Sequence, residues 1–562
     1  MRGFSLKKKV PSFSTKSTAK PTAAPSTKQL ENSPAATEDS DESRSEVDTS
    51  ASPPRLPSLR PIRLGSYNFD TADSTPYIYP SLYDEASTMI DLSNLIYTLA
   101  ELRELARNGV LSDPSKSIRI MDLPLPMETA MAVIKGEAEL LQEVLGDGAH
   151  GAALSALESL MMKDQLAKQK REAAGGNNNG SDSTNGEEKS GLSSWFNTWD
   201  GCLGGGFSFD ELCGDYSNVK NTEESHNQHR DVSSSTIYHI GDLKPNDELV
   251  YAVGVNPAEE RITVIFRGSV TKTDFLTDAN INLMQAPDPY SLAQDSDSEE
   301  VSTVGIHRGF YDYLFAEKDG KPSKYAEIMK HVEDLVMDDV NRRQNYKLYV
   351  TGHSLGGALA TLFGFYAAAR VGTLPLPVTV VSVASPKVGN IEFAQMFAEM
   401  ESQGKIRHLR IANHRDPVTL APSLSSKKVV ALTAMAFSPL GYLALKASGN
   451  TGDARDVFYH TGIKMKLRKE VPEGGKLCEL SYSGASLISG SDPIALEKDE
   501  QDLIKENIEK MKKKVMNSTT NDVPMVQYHF GSAYSERIAL VENELKELKL
   551  NDLYLEKAAG QE

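Results

Sequence analysis

The sequence predicts an α/β fold, a mostly parallel central sheet covered by helices and preceded by a disordered N-terminal tail. Three observations carry this reading. Past residue 235, apolar runs of strand length alternate with helix-forming segments. Those runs are continuous rather than alternating, as expected of strands covered on both faces. Residues 1–60 are rich in Ser, Thr, Pro, Lys and Glu, and such a chain buries too little apolar surface to offset its ordering entropy.

The bulk properties narrow the function classes. With 562 residues the chain has room for two or three domains and a sizeable core. Apolar residues make up 39% and the mean hydropathy is −0.38. A formal net charge of −18 argues against a general nucleic-acid binder, because phosphate neutralisation needs clustered Lys and Arg. It argues more weakly against purely electrostatic attraction to anionic lipid. Three cysteines, Cys202, Cys213 and Cys478, fit a reducing compartment and hence a cytoplasmic location. The N-terminus MRGFSLKKKVPSFSTKSTAK lacks the apolar core of a secretory signal. It is basic and free of acids until Glu31, which leaves organelle targeting as the alternative to a disordered basic tail.

Taken in order, residues 61–174 form a helical N-terminal region that is expected to pack on the core that follows. Met89, Leu92, Leu95, Ile96, Leu99 and Leu102 recur at helical spacing, and Asn108-Gly109 supplies a stop. A second helical stretch over 127–171 carries glycines at 136, 146, 148 and 151 and is expected to break near its middle. Residues 175–234 open with GGNNNGSDSTNGEEKSG and are read as a flexible linker or insertion. Both tryptophans, Trp195 and Trp199, lie there; packing on the next domain is the plain reading, interfacial anchoring the alternative.

The domain proper is placed at 235–548. ELVYAVGVN and ERITVIFRGS predict a hairpin about Asn256-Pro257-Ala258-Glu259. Strand YKLYVTG precedes helix GALATLFGFYAAAR, and strand VTVVSVAS precedes a helix near FAQMFAEMES. Strands KIRHLRIAN and TGIKMKL follow, and 549–562 is read as a C-terminal tail. The run VVALTAMAFSPLGYLALKA (429–447) carries no charge before Lys446. It nearly meets the length of a membrane span, but Pro439-Leu440-Gly441 interrupts it and a span would split the domain. A buried helix pair or an apolar flap near a substrate site is the preferred reading. Acidic DSDSEE (295–300) reads as a solvated loop, and neither a metal site nor a cofactor site is evident.

The chemistry starts at Gly352-His353-Ser354-Leu355-Gly356, which fits Gly-x-Ser-x-Gly at the junction of a strand and a helix. A nucleophile on such a sharp turn needs uncrowded neighbours, and glycines stand two before and two after Ser354. The helix that follows points its N-terminal amides toward a reacting carbonyl oxygen. That assigns the backbone N–H of Leu355 as one oxyanion donor.

At this point the sequence resembles the class 3, fungal-type triacylglycerol lipase family of the α/β-hydrolases. The matching blocks are LYVTGHSLGGALA, ITVIFRGSVTKTDFLTD (262–278), HRGFYDYL (307–314), SPKVGN (385–390) and RIANHRDPVTLAP (410–422). They span roughly 245–545, a little over half of the chain. The resemblance implies an α/β-hydrolase fold, ester hydrolysis and a Ser-Asp-His triad. It also implies a second oxyanion donor at Ser269, in Arg267-Gly268-Ser269. Asp416, after strand HLRIAN and before Pro417, fits both the chain order Ser…Asp…His and the family block.

For the base, His408 and His414 lie close to the acid strand, His353 is tied to the elbow and His307 to its own block. His460 and His529 remain. His529, in a loop before a final helix SAYSERIALVENELKEL, is taken as the base because such a loop reaches the carboxyl ends of the strands. His460, just before TGIKMKL, is the alternative. Relatives carry a mobile lid where this chain has 272–303, although Phe275 stands where the family often has Trp.

The expected function is thus cleavage of glycerolipid esters at a lipid–water interface, with triacylglycerol first. Diacylglycerol, phospholipid and galactolipid are the alternatives within the family. Peripheral association with membranes or lipid droplets follows from such a substrate; no nucleic-acid partner is expected, and protein partners are not legible. The rival from another class is a lipase-like scaffold or signalling protein without catalysis. Its support is the long tail and the charged segments LEKDEQDLIKENIEKMKKK and ENELKELKLNDLYLEK.

Overall fold

Continuous apolar runs become the strands of one nine-stranded sheet, in the order β1-β2-β3-β4-β7-β8-β9-β10-β11. Its centre is parallel: β4 (Arg261–Phe266), β7 (Lys347–His353), β8 (Val378–Val383), β9 (Ile406–Asn413) and β10 (Ile463–Leu467). These five strands are buried along their whole length. Antiparallel strands flank them, β1 (Leu125–Pro126), β2 (Thr236–Gly241) and β3 (Tyr251–Asn256) on one side and β11 (Cys478–Tyr482) on the other. The expected β3–β4 hairpin turns through Pro257–Glu259, with the Asn256 side chain accepting from the amides of Ala258 and Glu259.

This computed structural model describes residues 77–146, 151–175, 234–243, 248–269, 282–290, 302–317, 320–338, 343, 345–370, 374–422, 457–472, 474–483 and 526–559. The tail 1–60, both tryptophans, Cys202, Cys213, Phe275, the apolar run 429–447 and the charged stretch 496–514 lie outside them. Among the described residues no helix is long and apolar enough to cross a membrane. Of the expected lid 272–303, residues 282–290 and 302–303 are described. The first of these segments contains strand β5 (Leu283–Pro287), paired antiparallel with β6 (Thr303–His307) in a separate two-stranded sheet, so Leu283 and Met284 belong to a ladder.

The N-terminal helices share a core with the sheet. Helix α1 (Leu82–Arg107) is capped by Ser81, whose side chain accepts from the Asp84 amide. It is buried on nearly every side, because the sheet covers one flank and two helices the other. Those two are α5 (Gly151–Gly175) and α10 (Gly531–Leu540); Ser159 Oγ and Ser535 Oγ stand 2.6 Å apart beside Asn94. Helices α2 (Pro114–Met121), α3 (Met127–Gly136) and α4 (Ala138–Gly146) lie between α1 and α5 in the chain; the stretch 127–171 is interrupted at Glu137, and 147–150 lie outside the described residues.

On the opposite face a second apolar cluster gathers α6 (Arg308–Phe315), α7 (Lys324–Val336), α8 (Leu355–Ala367) and α9 (Ile391–Ser402). The final helix expected from SAYSERIALVENELKEL is two, α10 and α11 (Glu542–Lys546), interrupted at Val541. The expected tail 549–562 is corrected by helix α12 (Leu550–Ala559). Its Leu550 and Tyr554 are buried, four residues apart on one face, and charges around them mask that short apolar pair in the sequence.

A buried polar knot fastens α1 to the sheet. Arg407 on β9 donates to Glu85 of α1 at 2.8 Å, to Thr379 of β8 at 2.7 Å and to Asn551 of α12 at 2.6 Å. Tyr349 of β7 donates to the same Glu85 oxygen at 2.8 Å, and the Tyr79 ring lies 4.2 Å from the guanidinium carbon. One arginine thereby joins the first helix, two central strands and the last helix.

Candidate active site

Ser354 sits where β7 ends and α8 begins, with φ 59° and ψ −127°. A non-glycine residue holds such angles only when its surroundings over-determine them. Here the Ser354 amide donates to Val383 of the neighbouring strand at 2.9 Å, and its carbonyl accepts from Gly357 at 2.9 Å. The flanking glycines answer to space: a Cβ on Gly352 would overlap the Gly356 backbone, and one on Gly356 would overlap the Phe266 carbonyl. The end of β4 therefore lies directly against the elbow.

Asp416 follows β9 in a tight turn, its amide donating to Asn413 at 3.2 Å, and is 1% exposed. Its carboxylate accepts from the Val418 amide at 2.9 Å and from the Tyr534 hydroxyl at 2.6 Å. Burial, and then the Asp416 charge, hold the Tyr534 phenol well above its ordinary range, so it remains a donor.

His529 occupies the loop between the short turn Val526–Tyr528 and α10. Its Nδ1 lies 3.0 and 3.1 Å from the Asp416 oxygens, and its Nε2 lies 2.9 Å from Ser354 Oγ. A carboxylate only accepts, so Nδ1 carries the proton and Nε2 presents its lone pair to the serine hydroxyl. Ser354, His529 and Asp416, far apart in the chain, thus form one continuous hydrogen-bonded series.

Around this series lie groups the sequence did not mark. The Nε2 of His353 faces the backbone carbonyl of His529 at 2.7 Å, and its Nδ1 faces the Tyr97 hydroxyl of α1 at 3.2 Å. Burial pushes the His353 imidazole down to about 3, so the ring is neutral. The Tyr97 hydroxyl also accepts from the Gly268 amide at 3.1 Å. Sequence reasoning dismissed His353 as part of the elbow and had no signal for Tyr97, which stands 256 residues away. Tyr534 was equally invisible as a partner of Asp416.

The oxyanion candidates flank the serine. Leu355 is the first residue of α8, and an amide there has no acceptor within its own helix. Ser269 is half-buried and directly follows Gly268, where an added Cβ would stand 3.2 Å from the Ser354 Cβ. The rival base is bound elsewhere: His460 Nε2 lies 2.6 Å from the Thr419 carbonyl. Burial, reinforced by the Arg410 and Lys387 charges, holds that imidazole well below its ordinary range. His408 is held between Ser382 and Thr461, and His307 stacks on Phe310 with centroids 4.0 Å apart.

Residues 263–426 match the family model described as lipase (class 3). Over this stretch, 164 of the chain's 562 residues, the chain is similar to the class 3 lipases. The class 3 lipase stretch contains Ser269, Ser354, Leu355 and Asp416, whereas Tyr97, His529 and Tyr534 lie outside it. Among curated proteins the chain is 30% identical over 174 residues to phospholipase A1-Ialpha2, chloroplastic, of Arabidopsis thaliana, covering 29% of this chain and 33% of that protein. It is 29% identical over 187 residues to galactolipase DONGLE, chloroplastic, of the same plant, covering 32% and 36%. The chain spans about a third of the length of these relatives. Among solved structures, lipase II from Rhizopus niveus is 22% identical, with 44% of this chain and 71% of that chain covered and a TM-score of 0.29.

Proposed function

We propose that the protein is a serine hydrolase that cleaves carboxylic ester bonds of glycerolipids. The observation that carries this is the continuous series from Ser354 Oγ through the His529 ring to the Asp416 carboxylate. In the proposed cycle His529 Nε2 takes the Ser354 proton as Oγ attacks the ester carbonyl. Asp416 keeps the ring in the required tautomer and offsets the imidazolium charge. The tetrahedral oxyanion faces the amides of Leu355 and Ser269. His529 then returns the proton to the departing alcohol, leaving an acyl group on Ser354. Water, deprotonated by the same histidine, releases the fatty acid. Each oxyanion donor of this kind contributes about 3–4 kcal/mol to the transition state.

Within glycerolipids, two substrate readings stand. The relatives named as phospholipases A1 and galactolipase favour polar glycerolipids; the expectation from motif resemblance is triacylglycerol. By association with such substrates, the protein works at a lipid surface. Two of the relatives reported above carry the word chloroplastic in their names, which supports testing the basic N-terminus for organelle import alongside the cytoplasmic reading.

Purified protein is to be assayed on triacylglycerol, diacylglycerol, phosphatidylcholine and monogalactosyldiacylglycerol, with Ser354→Ala and His529→Ala as controls. Fatty-acid release from at least one lipid is expected, falling about 10⁴-fold or more in both variants. A fluorophosphonate is expected to label the wild type and not Ser354→Ala. Folded wild-type protein that neither labels nor hydrolyses would favour the scaffold reading. Activity lost in His460→Ala but kept in His529→Ala would reassign the base.

A further inference from the structure

We propose that Tyr97, on the helix preceding the class 3 lipase stretch, is a positioning residue that ties the oxyanion turn to the base through His353. This rests on the hydrolase reading above and deepens it.

The proton positions in the network follow from its chemistry. A backbone carbonyl only accepts, so His353 Nε2, 2.7 Å from the His529 carbonyl, carries the ring proton. The neutral ring then has a lone pair on Nδ1, and the group facing it at 3.2 Å is the Tyr97 hydroxyl, which donates. That leaves the phenol oxygen free to accept from the Gly268 amide at 3.1 Å. Each donor has one acceptor, and with the ring neutral no other arrangement satisfies all three bonds. The longer approach of the phenol to the His353 carbonyl, 3.4 Å, would leave Nδ1 without a donor.

All three contacts land beside reacting groups. Gly268 immediately precedes Ser269, His353 immediately precedes Ser354, and the carbonyl held by His353 belongs to the candidate base itself. The Tyr97 ring is buried, with 2% exposure, and meets the His353 ring edge-on at 5.9 Å. Helix α1 therefore supplies a fixed hydroxyl around which the turn after β4, the elbow and the loop bearing His529 are registered. A shift of the base by about 1 Å from its productive position costs on the order of 100-fold in rate. A buried tyrosine that merely found hydrogen-bond partners would stabilise the fold and leave turnover unchanged.

The experiment is steady-state hydrolysis of a soluble short-chain ester by full-length wild type, Tyr97→Phe, His353→Leu, His353→Gln and the double variant Tyr97→Phe/His353→Leu. Melting temperatures and fluorophosphonate labelling rates are measured in parallel. Tyr97→Phe keeps the ring and removes the hydroxyl. It is expected to lower kcat about 10- to 100-fold, with KM within about threefold. Labelling should slow with kcat. The double variant is expected to be no slower than the worse single one, because both changes break one series. His353→Gln keeps an N–H for the His529 carbonyl and is expected to retain more turnover than His353→Leu.

A lowered melting temperature with wild-type kcat in Tyr97→Phe overturns the proposal, as do fully additive losses. Should Tyr97→Phe fail to fold, equal rates in His353→Gln and His353→Leu overturn it. Wild-type protein that does not label at Ser354 instead overturns the hydrolase reading beneath it.

Discussion

At the scale of single residues, burial acts on titratable groups in one direction. Desolvation pushes His353 and His408 down to about 3 and His307 down to about 4; the Arg410 charge adds to the effect at His408. All three are neutral in the fold, and each folded pKa lies below the unfolded value near 6.5. Their contribution is therefore fully present above pH 6.5 and is lost as the pH falls, because the unfolded chain binds protons that the fold refuses. Near pH 5 each such histidine contributes a slope of about 1.4 kcal/mol per pH unit. Melting temperature followed from pH 7 to pH 5 should show uptake of more than two protons on unfolding. A flat profile over that window would contradict buried neutral histidines.

Individual residues were unequally legible. Ser354 was readable because an elbow needs glycine at two fixed offsets, and those offsets are local. Asp416 was readable from the chain order Ser…Asp…His together with the family block around it, since an Asp-Pro pair after a strand is by itself a plain turn. His529 had to be chosen over His460 on loop position, since nothing in either local sequence specifies which ring nitrogen finds which partner. The structure separates them by their acceptors: His529 Nδ1 faces a carboxylate, His460 Nε2 a backbone carbonyl.

Among elements, helix α1 depends most on long-range contacts. The pattern change over Asp84–Arg107 predicts a helix that is observed over Leu82–Arg107, but amphipathic spacing predicts one buried face. Burial on nearly all sides follows from α5 and α10 covering what the sheet leaves open. The Glu85–Arg407 pair inside that interface is 0% and 1% exposed. Removing one member of a buried pair leaves an uncompensated charge, so Glu85→Ala should cost about 3–5 kcal/mol, read from the urea midpoint. Replacing both members, as in Glu85→Leu/Arg407→Met, should recover most of that loss, because two apolar side chains carry no desolvation penalty. A single-variant loss below about 1 kcal/mol would show that the guanidinium remains solvated or is held by its other partners.

Over the whole molecule, the folded core is larger than the stretch that matches the class 3 lipases. A fragment cut to 235–548 would keep Ser354, Asp416 and His529 but lose α1, α5 and α12. It would expose the buried cluster that α1 shares with the sheet and strand Arg407 without Glu85 or Asn551. That fragment should be insoluble or unfolded, and a soluble fragment with wild-type turnover would refute this dependence. The region 61–174, expected to pack on the core, lies partly within it, and α12 closes a seam where a tail was expected.

By itself the sequence determined the strand–helix alternation, the parallel centre of the sheet and the elbow at Ser354, because each depends on local spacing, and the resemblance added the candidate acid. Tertiary structure decided which histidine meets the serine, that α1 is covered on both flanks and that Tyr97 touches the turn and the elbow while His353 reaches the base loop. Those outcomes depend on hydrogen bonds between residues more than a hundred positions apart. Such bonds form only when separate elements pack to within a few ångströms, and no local periodicity records that. A serine between two glycines is thus a local fact, while the geometry that would make it a nucleophile is assembled from α1, the parallel sheet and the loop before α10.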